Sequence, residues 1–469
     1  MKLKAIIVWS ALALAGCLSS TRPPVVTPPT PVDTPSIVIN DPTFPQQCAD
    51  IWQQELGRQI DPDGAWGCLA AFQRGDSGEA IREGVKASQE YRDRQDAMAA
   101  AIEAAKRLKP FTLDGRTWRQ DGAERLPVLD DCLAILVRTP AERAAKLDEI
   151  KANGFDGCRV FAGDLDWAGQ TAGTARAVLP AFMDEAAARG LHVLVSAVTG
   201  SRSGFDVPAH LRAVAGLLRG RNNVIGVECA NEYWHPTQSS DVNSATWLAA
   251  TCGPIMDAAG IRWDLGSPEF DEPQDDGWPI PSGTFISVHM DRSRDKWNQV
   301  RRIRELYAVS EVTGKAVVNA EMIGAAESVD PGRRENDPSF FFAAGVLGQA
   351  FKIAGVFHSE DGLNARLLGP VQAECARAFV AGYKAIPDGF HGQYQNVGWA
   401  TSPIRAAQFT DTGGDIVRAY SFTSGDQAYV VVLHTSDVLS MNAFTLTDGW
   451  RIASPVTGRP HVSLFRVTQ

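Results

Sequence analysis

The chain has 469 residues, 44% of them hydrophobic and 21% charged, the make-up of a globular protein with one large domain and smaller ones. The formal net charge is −10, and no long basic run or basic–aromatic interleaving occurs, so nucleic acid is not an expected partner. No CxxC or HExxH spacing occurs either, so neither a metal nor another cofactor is expected.

At the N-terminus, Lys2 and Lys4 precede the apolar run Ala5–Ala15, which is too short to span a bilayer as a mature helix. It reads as a secretory signal. Its ending, Leu14-Ala15-Gly16-Cys17, resembles a bacterial lipobox. That resemblance implies cleavage before Cys17, a lipid anchor on that cysteine, and a place in the cell envelope. Leu18 in the next position implies the outer membrane. Export permits disulfides. Seven cysteines remain beyond Cys17, an odd number, and Cys48–Cys68 is the expected pair because both flank one short helical segment.

Residues 18–46 are rich in Pro, Thr and Val, a composition that stays extended and acts as a stalk. Residues 47–107 carry helical spacing over Ala49–Leu56, Gly64–Phe72 and Ala80–Tyr91. The text Gln54-Glu-Leu-Gly-Arg-Gln-Ile-Asp-Pro-Asp-Gly is similar to a small helical module of bacterial extracellular proteins, here expected to act as a spacer.

From residue 108 strand and helix patterns alternate. Strands are predicted over Leu133–Val137, Gly157–Ala162, Leu191–Val198, Val224–Ala230, Ile261–Gly266, Thr284–His289, Lys315–Ala320 and Gly355–His358. Helices are predicted between them, except after the fifth, where Pro268–Gly283 reads as a loop. Eight such units over residues 108–388 predict a (β/α)8 TIM barrel in the α/β class. Residues 389–469 lose the helical pattern and predict a small antiparallel, β-sandwich-like domain, with Ser424-Gly-Asp-Gln as a hairpin turn.

A barrel of this type presents its chemistry at the C-terminal ends of its strands. The polar residues there are Arg159 near the end of strand two, Asn231-Glu232 after strand four, His289 after strand six, and Asn319-Ala-Glu321 after strand seven. His358-Ser-Glu360 follows strand eight. A carboxylic acid beside an amide and two aromatics, as in Asn231-Glu232-Tyr233-Trp234, suits acid catalysis on a sugar. The arrangement resembles the clan A retaining glycoside hydrolases, the cellulase- and mannanase-like barrels, over roughly residues 128–385. The segment Lys315–Gly324 is similar to that clan's nucleophile strand.

The resemblance implies a carbohydrate substrate, Glu232 as general acid/base and Glu321 as nucleophile. It also implies Arg159 holding Glu321 ionised, Asn231 on a sugar hydroxyl, and His289 orienting the acid or the sugar. Tyr233, Trp234, Trp167 and Trp278 are candidate stacking faces. Alternatives stay open at this point: Glu360 rivals Glu321, Arg159 and His289 have structural readings, and the aromatics can serve packing. The chain departs from the clan at Tyr233-Trp-His ahead of Pro236, at Asp291, and at His358-Ser359 where the clan has Trp. A non-catalytic glycan-binding lipoprotein is therefore the second reading.

Overall fold

The computed structural model describes residues 46–56, 62–93, 106–201, 205–266, 283–290, 296–322, 334–395, 401–407, 418–433, 444–459 and 461–469, with a few isolated positions besides. The signal, Cys17 and the stalk lie outside the described residues, as do Trp278, Asp291 and nearly all of the loop Pro268–Gly283.

The chain divides into two compact units, the first ending at Tyr91. Among the described residues its helices include Gln46–Leu56, Pro62–Gln73 and Gly78–Lys86. Ile51, Ile60, Ala65, Ile81 and Val85 form its core. Ser77 caps the third helix through the Ala80 amide. That helix ends at Lys86 rather than running to Tyr91, because the chain turns at Ala87-Ser88. Cys48 and Cys68 are bonded as expected. They do not flank one helix: each sits inside a different helix, so the bond staples the first to the second.

The second unit opens with an antiparallel meander that the sequence reading missed: β1 (Phe111–Asp114), β2 (Thr117–Gln120) and β3 (Ala123–Glu124). Its fully buried Phe111 and Trp118 pack on His192 and Phe285, at centroid distances of 4.8 and 5.9 Å. Those residues begin two barrel strands, so the meander plugs the barrel's N-terminal mouth.

Eight parallel strands follow: β4 (Val128–Asp131), β5 (Gly157–Phe161), β6 (His192–Val198), β7 (Val224–Ala230), β8 (Trp263–Asp264), β9 (Phe285–His289), β10 (Ala316–Glu321) and, after the short pair β11 (Gly324–Ala325) and β12 (Arg334–Glu335), β13 (Ala354–Phe357). Their order around the sheet is β8-β7-β6-β5-β4-β13-β10-β9, with helices between. This is a nearly closed (β/α)8 barrel. The strands are buried on both faces, which explains their near-continuous apolar runs.

The first strand is a correction. The expected Leu133–Val137 is instead loop and a 3-10 turn at Ile135–Val137. The true strand carries two aspartates and so looks like a loop. Alternation sends Asp130 outward to Lys146 Nζ at 2.9 Å and Asp131 inward to His358 Nδ1, so both carboxylates are buried yet paired.

The fifth strand is only two residues long. The gap between β8 and β9 is bridged by the Thr284 amide donating to the Trp263 carbonyl at 2.7 Å. Asp264 Oδ2 completes the seam. It accepts from the Ser287 hydroxyl at 2.5 Å and from the amides of Ser287 and Gly266 at 2.9 and 3.1 Å.

The remaining strands are β14 (Gln393–Gln395), β15 (Ile404–Ala407), β16 (Arg418–Ser424), β17 (Gln427–Leu433), β18 (Phe444–Leu446), β19 (Arg451–Arg459) and β20 (Val462–Thr468). Five form one antiparallel sheet, β14-β16-β17-β20-β19, and β15 with β18 forms a separate pair. Gly425 takes φ +60° in the predicted hairpin turn. Phe422 of this sheet stacks edge-on against Phe351, the last residue of the barrel helix Pro338–Phe351, at 4.8 Å. The barrel core and this sheet therefore share apolar side chains.

Burial pushes the Asp264 carboxyl up to about 7, against the pull of its three hydrogen bonds and with a further push from Glu228. The native state therefore holds a proton here that the unfolded chain releases near pH 4, so this residue's contribution to stability falls as pH rises from about 4 to 7. Asp264→Asn is expected to flatten that part of the pH dependence, measured as urea unfolding free energies at pH 4.5 and 7.5; an unchanged slope would exclude it.

Candidate active site

Alternation fixes which groups can meet at the mouth. Phe357 of β13 points outward, with its ring 5.1 Å from that of Phe341 and 5.9 Å from that of Phe379. On β5, Arg159 points inward and is fully buried. Its planar fork is shared among four side chains. Nε donates to Glu228 at 2.8 Å and Nη1 to Glu321 at 2.7 Å. Nη2 donates to Asn231 Oδ1 at 2.7 Å and meets His289 Nε2 at 3.2 Å.

Arginine has no acceptor, so these contacts settle two further orientations. Asn231 turns its oxygen to the guanidinium, which leaves its amide N–H groups to face elsewhere. His289 accepts at Nε2 and therefore carries its proton at Nδ1. That nitrogen stands 3.2 Å from Glu232 Oε1, so the imidazole donates to that carboxyl oxygen. His289 Nε2 also lies 3.6 Å from Glu321. The contacting atoms of Glu232, His289 and Glu321 all fall within 4.8 Å of one another. Such spacing alone could suit a metal ion. Here the guanidinium already donates to Glu321 and to the His289 nitrogen, so a fixed cation occupies the place.

Local backbone features aim the two acids. The ladder between β9 and β10 shifts register between Asn319 and Glu321, which brings Glu321 level with His289. The Met290 amide donates to the Glu321 carbonyl at 2.8 Å and locks that end. Across the mouth, the Asn231 amide donates to Val198 at 2.7 Å, and the chain then turns sharply. Glu232 has φ +43°, a left-handed conformation costly for a residue with a side chain. Gly266, at φ +101°, passes so close that a Cβ would fall 1.6 Å from the Ala230 carbonyl, so only glycine lets the fifth unit run beside this corner.

Around Glu232 lies a cleft of about 270 Å³, lined by Phe161, Asp164, Trp167, Thr199, Asn231 and His235 among others. Trp167 is 52% exposed and offers a flat face there. Phe161 lies under Arg159, with the guanidinium carbon 4.9 Å from its ring centre.

Burial works against the charged form of Arg159, but Glu228, Glu321 and Asp131 outweigh it and raise its pKa, so the guanidinium stays charged. Asp131 is raised by burial, opposed by His358 and Arg159 and helped by Glu321. Glu228, Glu321 and Asp131 thus crowd one mouth as buried carboxyls, with Arg159 as the cation they share.

Arg159, Asn231, Glu232, His289 and Glu321 are therefore gathered in one cluster. Tyr233 is not a free face: it packs partly buried against the barrel core. Trp234 is partly buried, its ring centre 5.7 Å from that of His235. Glu360 opens the helix Glu360–Leu363, where an acid suits the N-terminus, and it is not among the groups gathered with Glu232, His289 and Glu321. Sequence reading missed Glu228 and Asp131. Glu228 lies three residues before Asn231 in a strand otherwise apolar, and an acid inside such a run was the available signal.

No protein-family model matches the chain. No curated protein matches it either. Solved structures do. A family 5 glycoside hydrolase from Bacteroides vulgatus superimposes with a TM-score of 0.52 at 10% identity, over 77% of this chain and 93% of that one. Another structure, described as a glycoside hydrolase, gives 0.50 at 11% identity, over 77% and 96%. At such identities the likeness is one of fold.

The left-handed corner at Glu232 carries a testable cost. Glu232→Gly is expected to be more stable than Glu232→Ala by about 1 kcal/mol, because glycine takes positive φ without strain. Thermal melts of the two variants check this; equal midpoints would show that the corner is unstrained.

Proposed function

We propose that this chain is a retaining glycoside hydrolase acting on an extracellular poly- or oligosaccharide by double displacement. One observation carries the reading: the Glu232 and Glu321 carboxyl oxygens fall within 4.8 Å of each other at the C-terminal rim of the barrel. Retaining glycosidases hold their two carboxyls about 5–5.5 Å apart, whereas inverting ones leave about 6.5–9.5 Å for a water.

The roles follow from the contacts. Glu321, held ionised by Arg159, attacks the anomeric carbon and forms a glycosyl ester. Glu232 gives its proton to the departing oxygen through Oε2, since Oε1 faces the His289 N–H. In the second half Glu232, now a carboxylate, takes a proton from water. The water oxygen attacks the anomeric carbon and Glu321 leaves as carboxylate. Asn231, with its oxygen turned to Arg159, is left to donate its amide to the hydroxyl beside the reacting carbon. Trp167 supplies a stacking face. The non-catalytic, glycan-binding reading calls for a filled cleft or a Glu321 turned away, and the observed convergence weighs against it.

The protein works outside the cytoplasm in this reading. Three disulfides, Cys48–Cys68, Cys132–Cys158 and Cys229–Cys252, suit an oxidising compartment. A lipid on Cys17 and the Pro-rich stalk hold the barrel off a bacterial envelope membrane.

Two experiments test this. On an activated aryl glycoside chosen from a panel, Glu321→Gln is expected to lose turnover by about four orders of magnitude, and Glu232→Ala to be rescued by azide with a glycosyl azide of retained configuration. Full activity in the first, or a product of inverted configuration, sinks the mechanism. Cys17→Ser is expected to move the protein from the membrane to the soluble fraction; unchanged fractionation removes the anchor.

A further inference from the structure

Arg159 is shared by two buried carboxyls besides the Asn231 oxygen, and the nucleophile candidate is only one of them. Glu228 and Glu321 both act to keep the guanidinium charged. Glu228 is fully buried on β7 and takes the Nε hydrogen bond at 2.8 Å. Its other oxygen, Oε1, has no hydrogen-bond partner among the described residues. The carboxylate is thus directed at the guanidinium. Asp264, paired with it in register on β8, keeps its own carboxyl protonated up to about pH 7 and so adds little negative charge beside it in acid.

Two consequences follow from placing an anion at Nε. The first is geometric. Nε lies on the edge of the fork next to the side-chain stem, so a partner there fixes the plane of the guanidinium. Glu228 Oε2 also lies 2.8 Å from Nη2, so it spans that edge of the fork; with the plane fixed, Nη1 is aimed at Glu321 and Nη2 reaches Asn231 and His289 as well. The second is electrostatic. A lone buried guanidinium at 2.7 Å would hold the Glu321 charge so tightly that it would be a poor nucleophile, since nucleophilicity falls as basicity falls. A second carboxylate on the same cation takes up part of that field.

We propose that Glu228 is a positioning residue for the displacement reaction, which orients Arg159 and shares its charge so that Glu321 is held ionised yet still reactive. The proposal rests on the glycosidase reading above and names a residue that does not itself touch the sugar. Among the described residues, the charged and titratable groups facing Glu321 include Arg159 from β5, His289 from β9, Glu232 beyond β7 and Asp131 from β4, with His358 on Asp131. Glu228→Gln changes none of these residues and keeps an acceptor for the Arg159 Nε.

The test compares Glu228→Gln with Glu228→Asp in the full chain. The Glu321 carboxyl carbon is followed by 13C NMR in protein labelled at glutamate, with its signal assigned through Glu321→Gln. Removing the negative charge leaves more of the Arg159 field on Glu321. The Glu321 titration midpoint is therefore expected to fall by one pH unit or more in Glu228→Gln, and to stay within 0.3 unit of wild type in Glu228→Asp, which keeps the charge. In turnover, the acid limb of kcat/KM is expected to move to lower pH by the same amount in Glu228→Gln, with kcat down about tenfold. A midpoint that does not move in Glu228→Gln, or that moves equally in Glu228→Asp, overturns the assignment. Should Glu228→Gln fail to fold, Glu228→Asp alone decides: a shift of one unit or more with the charge retained overturns it, and an unmoved midpoint supports it. The titration does not need activity. A wild-type protein that turns nothing over would defeat the hydrolase reading while the NMR result still judged Glu228.

Discussion

One buried cation organises the mouth of this barrel. Arg159 lies at full burial with hydrogen bonds to Glu228, Glu321 and Asn231 and a contact to His289, contributed by three other strands or their ends. A charge removed from water is costly unless every donor is matched, and here the partners match it. Because arginine only donates, its placement dictates which way the Asn231 amide and the His289 ring must face. Through His289 the constraint reaches Glu232, so both acids at the rim answer to one guanidinium.

The scaffold protects that arrangement. Asp131 precedes Cys132, Arg159 follows Cys158, and Glu228 precedes Cys229; each cysteine is in a disulfide. Cys132–Cys158 joins the ends of two adjacent strands, and Cys229–Cys252 ties β7 to the helix Ala245–Ala259. The covalent links therefore sit one residue from the buried ionic groups. Below them the aromatic plug of Phe111 and Trp118 seals the opposite end of the barrel. The polar network thus lies between a buried apolar floor and an open cleft of about 270 Å³, a setting in which fixed charges act more strongly than in water.

Much of the barrel was legible as alternation. Val224–Ala230 reads as a buried strand and is one, because parallel strands covered on both faces need apolar residues at nearly every position. The same rule misled at β4, where Asp130 and Asp131 are tolerated only because Lys146 and His358 arrive from elsewhere to pair with them. It also hid the meander β1–β3, whose short strands bury Phe111 and Trp118 at isolated positions too sparse to show a period.

By itself the sequence determined, to within a residue, where the second, fourth, sixth and seventh barrel strands end and which polar residues stand there, since both follow from local periodicity and from the turn after each strand. That was enough to single out Asn231, Glu232, His289 and Glu321. Only the tertiary structure decided that these four meet around Arg159, that Tyr233 is spent on packing, and that Glu228 and Asp131 join the cluster. A buried carboxylate is stable only with its partner in place, and that partner lies tens to hundreds of residues away along the chain. No local pattern encodes such a pairing: the closed ring of strands brings it about.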